Sequence, residues 1–202
     1  AQRSNPLHSG RLLRRSAPRN DRAMQQAADY LNQAVTGLRE AGEQIWITKG
    51  LLERAGCYRL QSQIPQAWDD LAEAQEIAER GDMKLWLVDY HLEAARVCSC
   101  QLSANSFQLL ENGRAATLTR EDMIARLKLH VEQAEKLVQE TGYHRRDPEV
   151  ALGYAGLFLA REDLGKAREH LVRAKKLLDE KGIRQWDFEV QQLTDRLRAL
   201  SK

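Results

Sequence analysis

The sequence lacks most of what announces a chemistry. Its 202 residues include three cysteines, Cys57, Cys98 and Cys100. An odd count, with two of the three only two positions apart, supplies neither a disulfide framework nor paired CxxC zinc units. The reading is reduced thiols packed within helices. Four prolines and twelve glycines exclude collagen-like and Pro/Gly low-complexity chains. No run approaches the roughly 18 apolar residues of a membrane span, and no charged–apolar–small leader opens the chain. Lys and Arg number 31 against 29 Asp and Glu, a balance that argues against a dedicated nucleic-acid binder. The chain has no GxxxxGK[ST], GxSxG, HExxH or GxGxxG motif. The expectation is a cytoplasmic protein that is not an enzyme and needs no cofactor or metal.

Hydrophobic residues make up 43% of the chain and charged residues 30%. That is enough for one domain of ordinary size built from helices with long polar faces. Residues 1–22 stand apart. They hold Arg3, Arg11, Arg14, Arg15, Arg19 and Arg22 against one acid, Asp21, broken by Ser, Pro and Gly. This stretch reads as a basic flexible arm preceding a domain at 23–202. Such an arm can contact phosphates or acidic surfaces, so nucleic-acid or anion binding through Arg14 and Arg15 is an alternative function.

After the arm the sequence repeats. Ala34, Ala74, Ala134 and Ala174 share one column, and Leu31, Leu71, Val131 and Leu171 another. Met24, Ile64, Ile124 and Leu164 make a third. Leu52, Leu92 and Leu152 align, as do Ala55, Ala95 and Ala155. Trp46, Trp86 and Trp186 share a column with Arg146. The intervals are one repeat of forty, one repeat plus twenty inserted residues, and one repeat of forty. Self-similarity at this period is the signature of a helical solenoid. Each unit resolves into an A helix (43–61, 83–102, 147–162) and a B helix (22–41, 65–80, 119–141, 164–181), with a last helix at about 186–200. Gly42, Gly81, Gly142 and Gly182 are read as left-handed closures of the B helices. Pro65 is read as a first-turn proline, Asp147-Pro148 as an N-cap and first turn, and Thr119 with Asp122 as a capping box.

The alanine columns let A and B backbones approach, with Tyr58 and Phe158 filling the gap beside them and Cys98 as the small exception. Ala67-x3-Leu71-x2-Ala74, Ala167-x3-Leu171-x2-Ala174 and Ala155-x2-Phe158 nine residues before Ala167 resemble the tetratricopeptide-repeat superfamily over about residues 23–200. The family unit is ~34 residues. The longer unit is similar to repeats of the kinesin light chain type, which Glu76-Ile-Ala-Glu-Arg-Gly-Asp82 resembles. Tyr143-His-Arg-Arg-Asp-Pro-Glu149 looks like the sensor arms of bacterial signalling ATPases. The resemblance implies an all-α fold: a right-handed solenoid of helix-turn-helix repeats with a C-terminal capping helix. It implies a protein–protein interaction or sensing module, part of a larger bacterial signalling or regulatory protein. A peptide or partner surface would bind the A-helix groove, at Lys49, Arg59, Asp89, Arg96 and Arg145.

Other features qualify this picture. The helix at 22–41 lacks an A partner, because Arg15 and Pro18 stand where a small residue and an aromatic are needed. Its stripe of Met24, Ala27, Leu31, Ala34 and Leu38 needs a cover: a preceding domain, a second copy in a homodimer, or Leu7, Leu12 and Leu13 folding back. In the last helix Trp186, Val190, Leu193 and Leu197 are expected inward, and Asp187, Glu189, Asp195, Arg196 and Arg198 outward. His8, His91, His130, His144 and His170 are expected on the surface. Asp89, His91, Glu93 and Arg96 lie along one A helix, as a charged face or a groove lining. Arg145 and Arg146 precede a helix start and could hold an anion, though Arg146 could equally stack in the tryptophan column. Gly153, Gly156 and Ala160 form a bare stripe that another backbone or a ligand must meet. The insertion 103–118, with Phe107, Leu109 and Leu110, is either a short docking helix or a partner-binding loop.

Overall fold

The computed structural model describes the backbone at 18–104, 108–111 and 114–201, and the side chains at 22–104 and 118–201. Eight helices follow one another: α1 (Pro18–Ala41), α2 (Gln44–Leu60), α3 (Ile64–Arg80), α4 (Lys84–Ala104), α5 (Arg120–Thr141), α6 (Asp147–Ala160), α7 (Leu164–Lys181) and α8 (Asp187–Leu200). The A helices expected from the repeat are α2, α4 and α6, and the B helices are α1, α3, α5 and α7. Helix α1 starts four residues before 22, so Arg19 and Arg22 lie within it. A one-turn 3-10 helix, His144–Arg146, precedes α6. None of the described helices is long and apolar enough to cross a membrane.

The described residues of the insertion 103–118 comprise the end of α4 and two short strands. Strands β1 (Gln108–Glu111) and β2 (Arg114–Thr117) pair antiparallel, with Leu109 opposite Ala116, and β1 lies against α3.

Each helix packs on the next in sequence. Helices α2, α4, α6 and α8 also touch in a row, whereas among the described residues the odd-numbered helices do not touch one another. The repeat columns explain the packing. Ala55, Ala95 and Ala155 on the even helices, and Ala74, Ala134 and Ala174 on the odd ones, are all buried. Small residues at these positions bring paired backbones close enough for Leu71, Val131 and Leu171 to interdigitate. Helix α6, DPEVALGYAGLFLA, is apolar nearly all round because α4, α5, α7 and α8 surround it. One apolar core runs from α1 to α6, and a second joins α6, α7 and α8.

One closure of the B helices departs from expectation in detail. Gly42, Gly142 and Gly182 are left-handed (φ 72°, 68° and 64°), but in the second unit the left-handed residue is Asp82 (φ 47°) and not Gly81. Asp82 is the position forty residues after Gly42, so the repeat phase, rather than the nearest glycine, sets where the chain turns. Thr119 and Asp122 form the expected capping box. Asp147 belongs to the first turn of α6, with Arg146 at the cap.

Candidate functional site: the outer face of the even-numbered helices

The stripe Ile45, Lys49, Glu53, Gly56 and Leu60 follows i, i+4, i+8, i+11, i+15 along α2, so it occupies one helix face. The repeat places Leu85, Asp89, Glu93, Arg96 and Cys100 at the same positions on α4. On the third unit they are Arg145, Glu149, Gly153, Gly156 and Ala160, and on α8 Gln185, Glu189, Leu193, Arg196 and Leu200. The four stripes lie side by side because the even helices touch in a row.

Four of the expected site residues meet in one buried ion-pair network. Arg59 Nε donates to Glu93 Oε1 at 2.6 Å. Arg96 donates to Glu93 (3.2 Å), Glu149 (2.5 Å) and Glu189 (3.2 Å), with its guanidinium 4.0 Å from the Trp186 ring centroid. Arg146 donates to Glu149 (2.6 Å) and Asp89 (2.8 Å). The Arg146 guanidinium also lies over the Tyr143 ring, 5.5 Å from its centroid, so this position of the third unit carries ion pairs and a ring contact together.

Burial works to lower the Arg96 pKa, but Glu189, Glu149 and Glu93 outweigh it and hold the group charged. Arg146 follows the same pattern, with Glu149 and Asp89 outweighing burial. Burial pulls the Asp89 carboxyl above its ordinary range, opposed by Arg146. Removing charges from water is costly, and the attraction offsets that cost only where the geometry satisfies several partners at once. Arg96 has that geometry, with three carboxylates around one guanidinium.

The network closes the surface over the second half of the layer. Glu189 and Arg196 were expected outward, yet Glu189 reaches Arg96 on α4, and Arg196 Nη1 donates to Ser99 Oγ at 3.4 Å. These contacts pass over α6, where Gly153 and Gly156 present no side chain. The bare stripe is thus filled from within the chain. A Cβ on Gly153 would stand 2.9 Å from a Val131 methyl, and one on Gly156 3.3 Å from Ser99 Oγ. The cavity left between Arg96, Glu149, Glu189 and Leu193 measures about 20 Å³, room for roughly one water and far below the roughly 300–1,000 Å³ of small-molecule sites.

The first half stays open. Ile45 (50% exposed), Trp46 (54%), Leu60 (48%) and Leu85 (48%) show apolar surface, and Lys49 pairs only with the exposed Glu53 at 3.0 Å on its own helix. Arg145 is exposed at the start of the third stripe. Arg14 and Arg15 lie outside the described residues. The column Ile45, Leu85, Arg145 was present in the repeat alignment; only the exposure of its members singles it out.

A second set of polar contacts ties each even helix to the odd helix that follows. Arg54 binds Asp70 through both carboxylate oxygens (2.8 and 2.6 Å) and Asn32 at 2.9 Å. His91 and His130 share a hydrogen bond between their Nδ1 atoms at 3.0 Å. Tyr154 stacks on His170 at 5.1 Å. Asp70, His130 and His170 occupy one column, so the same position bridges each pair with different chemistry. His130 is buried beside Trp68 and Tyr90, which corrects its expected place on the surface. Burial lowers the His91 pKa to about 4. Burial, then His91 and Arg126, lower that of His130 to about 3. Both rings are therefore neutral at pH 7, one Nδ1 donating and the other accepting. The described residues contain no group of three or more His, Cys, Asp or Glu able to hold a metal ion.

No protein-family model matches the chain, and no curated protein matches it.

Proposed function

We propose that the chain is a right-handed solenoid of tetratricopeptide-like helix pairs, closed by α8, and that it works as a protein–protein interaction module. The observation that carries this reading is the division of the even-helix face. Arg96 locks α4, α6 and α8 together, while Ile45, Trp46 and Leu60 on α2 and Leu85 at the start of α4 stay open, beside Lys49, Glu53 and the exposed Arg145. Full burial of one such apolar side chain contributes about 1.5–3 kcal/mol. The scaffold is already ordered, so little of that gain is spent on ordering it. The partner is a peptide segment or protein surface with apolar side chains for Ile45, Leu60 and Leu85 and an acidic group for Lys49 or Arg145. A place within a larger bacterial signalling protein follows the resemblance of Tyr143–Glu149.

The test is a displayed-peptide selection against the full chain. Enriched peptides should carry two or more large apolar residues and an acid. Ile45→Asp with Leu85→Asp should weaken them by at least tenfold, about 1.4 kcal/mol, with thermal stability unchanged. Peptides indifferent to that double substitution, or no enrichment at all, would refute the reading.

A further inference from the structure

One helix face has no neighbour among the described residues. Ala74, Ala134 and Ala174 are fully buried on α3, α5 and α7, yet Ala34 in the same column of α1 is exposed. The column that elsewhere bridges to the preceding even helix carries Tyr30 on α1, and Tyr30 is 61% exposed. The turn that precedes α3 and α7 is missing before α1. Helix α1 is continuous from Pro18 through positions 21–23, where the matching residues 61–63 and 161–163 form the turn between paired helices.

Gly37 points the same way. Of the glycines inside the other described helices, Gly165 in the first turn of α7 meets only Asp163 Oδ1 at 3.7 Å, and the other four face a neighbouring helix. A Cβ on Gly50 or Gly153 would stand 2.9 Å from a valine methyl, on Gly156 3.3 Å from Ser99, and on Gly56 3.6 Å from Glu93. A Cβ on Gly37 would meet nothing within 4 Å. Glycine is the poorest helix former after proline, and a close-packed helix is what makes room for it useful elsewhere in this chain.

We propose that this face pairs α1 antiparallel with α1 of a second copy, about a twofold axis at the level of Asn32. Ala23, Ala27, Tyr30, Ala34, Gly37 and Ala41 recur at alternating spacings of four and three, the period of a two-helix seam. The set is self-complementary when reversed. Ala23 meets the partner's Ala41, Ala27 meets the partner's Gly37, and the large Tyr30 meets the partner's Ala34. Beside the seam, Leu31 meets the partner's Leu31 and Met24 meets the partner's Leu38. On the other flank Gln26 faces the partner's Glu40, so no like charges oppose one another. A twofold axis makes such a patch sufficient for a closed dimer. The far end of the chain does not offer a competing surface. On α8 the Leu52/Leu92/Leu152 column holds Gln192, and the Ala55/Ala95/Ala155 column holds Asp195, both exposed. The two columns that would receive a further repeat are therefore polar on α8, as at a terminal cap, although Phe188 (66%) and Leu200 (50%) are exposed elsewhere on it, so head-to-tail chaining through those columns is disfavoured. The inference is independent of the open half of the even-helix face, which lies on other helices.

The experiment is sedimentation equilibrium of the full chain from low micromolar to several hundred micromolar. The mass should rise from that of one chain to that of two. Ala34→Glu should weaken association by ~100-fold or more, as loss of a central contact does. Because Ala34 is exposed in the single chain, the dilute variant should melt at the temperature of the parent, which separates lost pairing from lost folding. Thr36→Glu, on the opposite side of α1 where Thr36 bonds only the Asn32 carbonyl, should leave association unchanged. A single-chain mass throughout would overturn the proposal. So would a dimer indifferent to Ala34→Glu, or one that appears only after residues 1–17 are deleted, which would show that this segment covers the face.

Discussion

Replacing Arg96 by alanine tests whether the ion-pair network holds the even helices together. The Arg96 side chain is 10% exposed and serves Glu93, Glu149 and Glu189 at once. Removing one partner of a buried ion pair costs about 3–5 kcal/mol, because the other charge is left desolvated. Two features bound the loss here. Glu93 keeps Arg59 and Glu149 keeps Arg146, which favours the lower end. The lost guanidinium–Trp186 contact adds about 0.5–2 kcal/mol. The expected destabilisation is about 4 kcal/mol, a large share of the 5–15 kcal/mol typical of a domain. Arg96→Lys should recover about half, since an ammonium lacks the planar fork that reaches three carboxylates. Urea unfolding followed by circular dichroism at pH 7 measures both. Hydrogen exchange should show α8 losing protection before α1, because Arg96 links α4 to Glu189 and Trp186. A loss below about 1 kcal/mol in Arg96→Ala, well short of the buried-pair range, or a loss spread evenly over all helices, would refute the reasoning.

Three further outcomes are expected. His91 and His130 have folded pKa values of about 4 and about 3, below the ordinary 6.5, so the unfolded chain takes up protons that the folded chain refuses. Stability is complete above pH 6.5 and falls as the pH drops, by up to about 1.4 kcal/mol per pH unit for each histidine. His130→Asn should flatten the slope between pH 6 and pH 4.5 by about that amount, read from denaturation midpoints; equal slopes in parent and variant would remove the histidine pair as the cause. Ala134→Leu should cost about 1–3 kcal/mol or more by overpacking, whereas Ala34→Leu in dilute solution should stay within about 0.5 kcal/mol. The two share a repeat column, so thermal melts of the pair check that burial rather than position decides. Gly153→Ala should also cost about 1–3 kcal/mol, because the buried, β-branched Val131 has little freedom to move aside; a neutral melt would mean that α5 and α6 shift apart freely.

The forty-residue phase determined the order of the helices and their pairing, because both follow from local periodicity and turn chemistry, but the second closure was read at the nearest glycine, Gly81, and the structure places it at Asp82. The charged residues were legible as a set on one helix face, since Asp89, Glu93 and Arg96 sit at helical spacing. Their partners were not. Glu149 is 53 residues from Arg96 and Glu189 is 93 residues away, and nothing in linear spacing states that side chains from α4 and α8 meet over two glycines of α6. The same holds for His130, whose column suggested surface until His91, Trp68 and Tyr90 closed around it. The strand pair at 108–111 and 114–117 was hidden because four-residue strands carry almost no periodic signal. Chain length, period and the small-residue columns are local properties and so belong to the sequence. Which arginine is consumed within the fold, which half of the even-helix face stays open, and which alanine of a repeat column meets water depend on distant neighbours, and only the tertiary structure decides them.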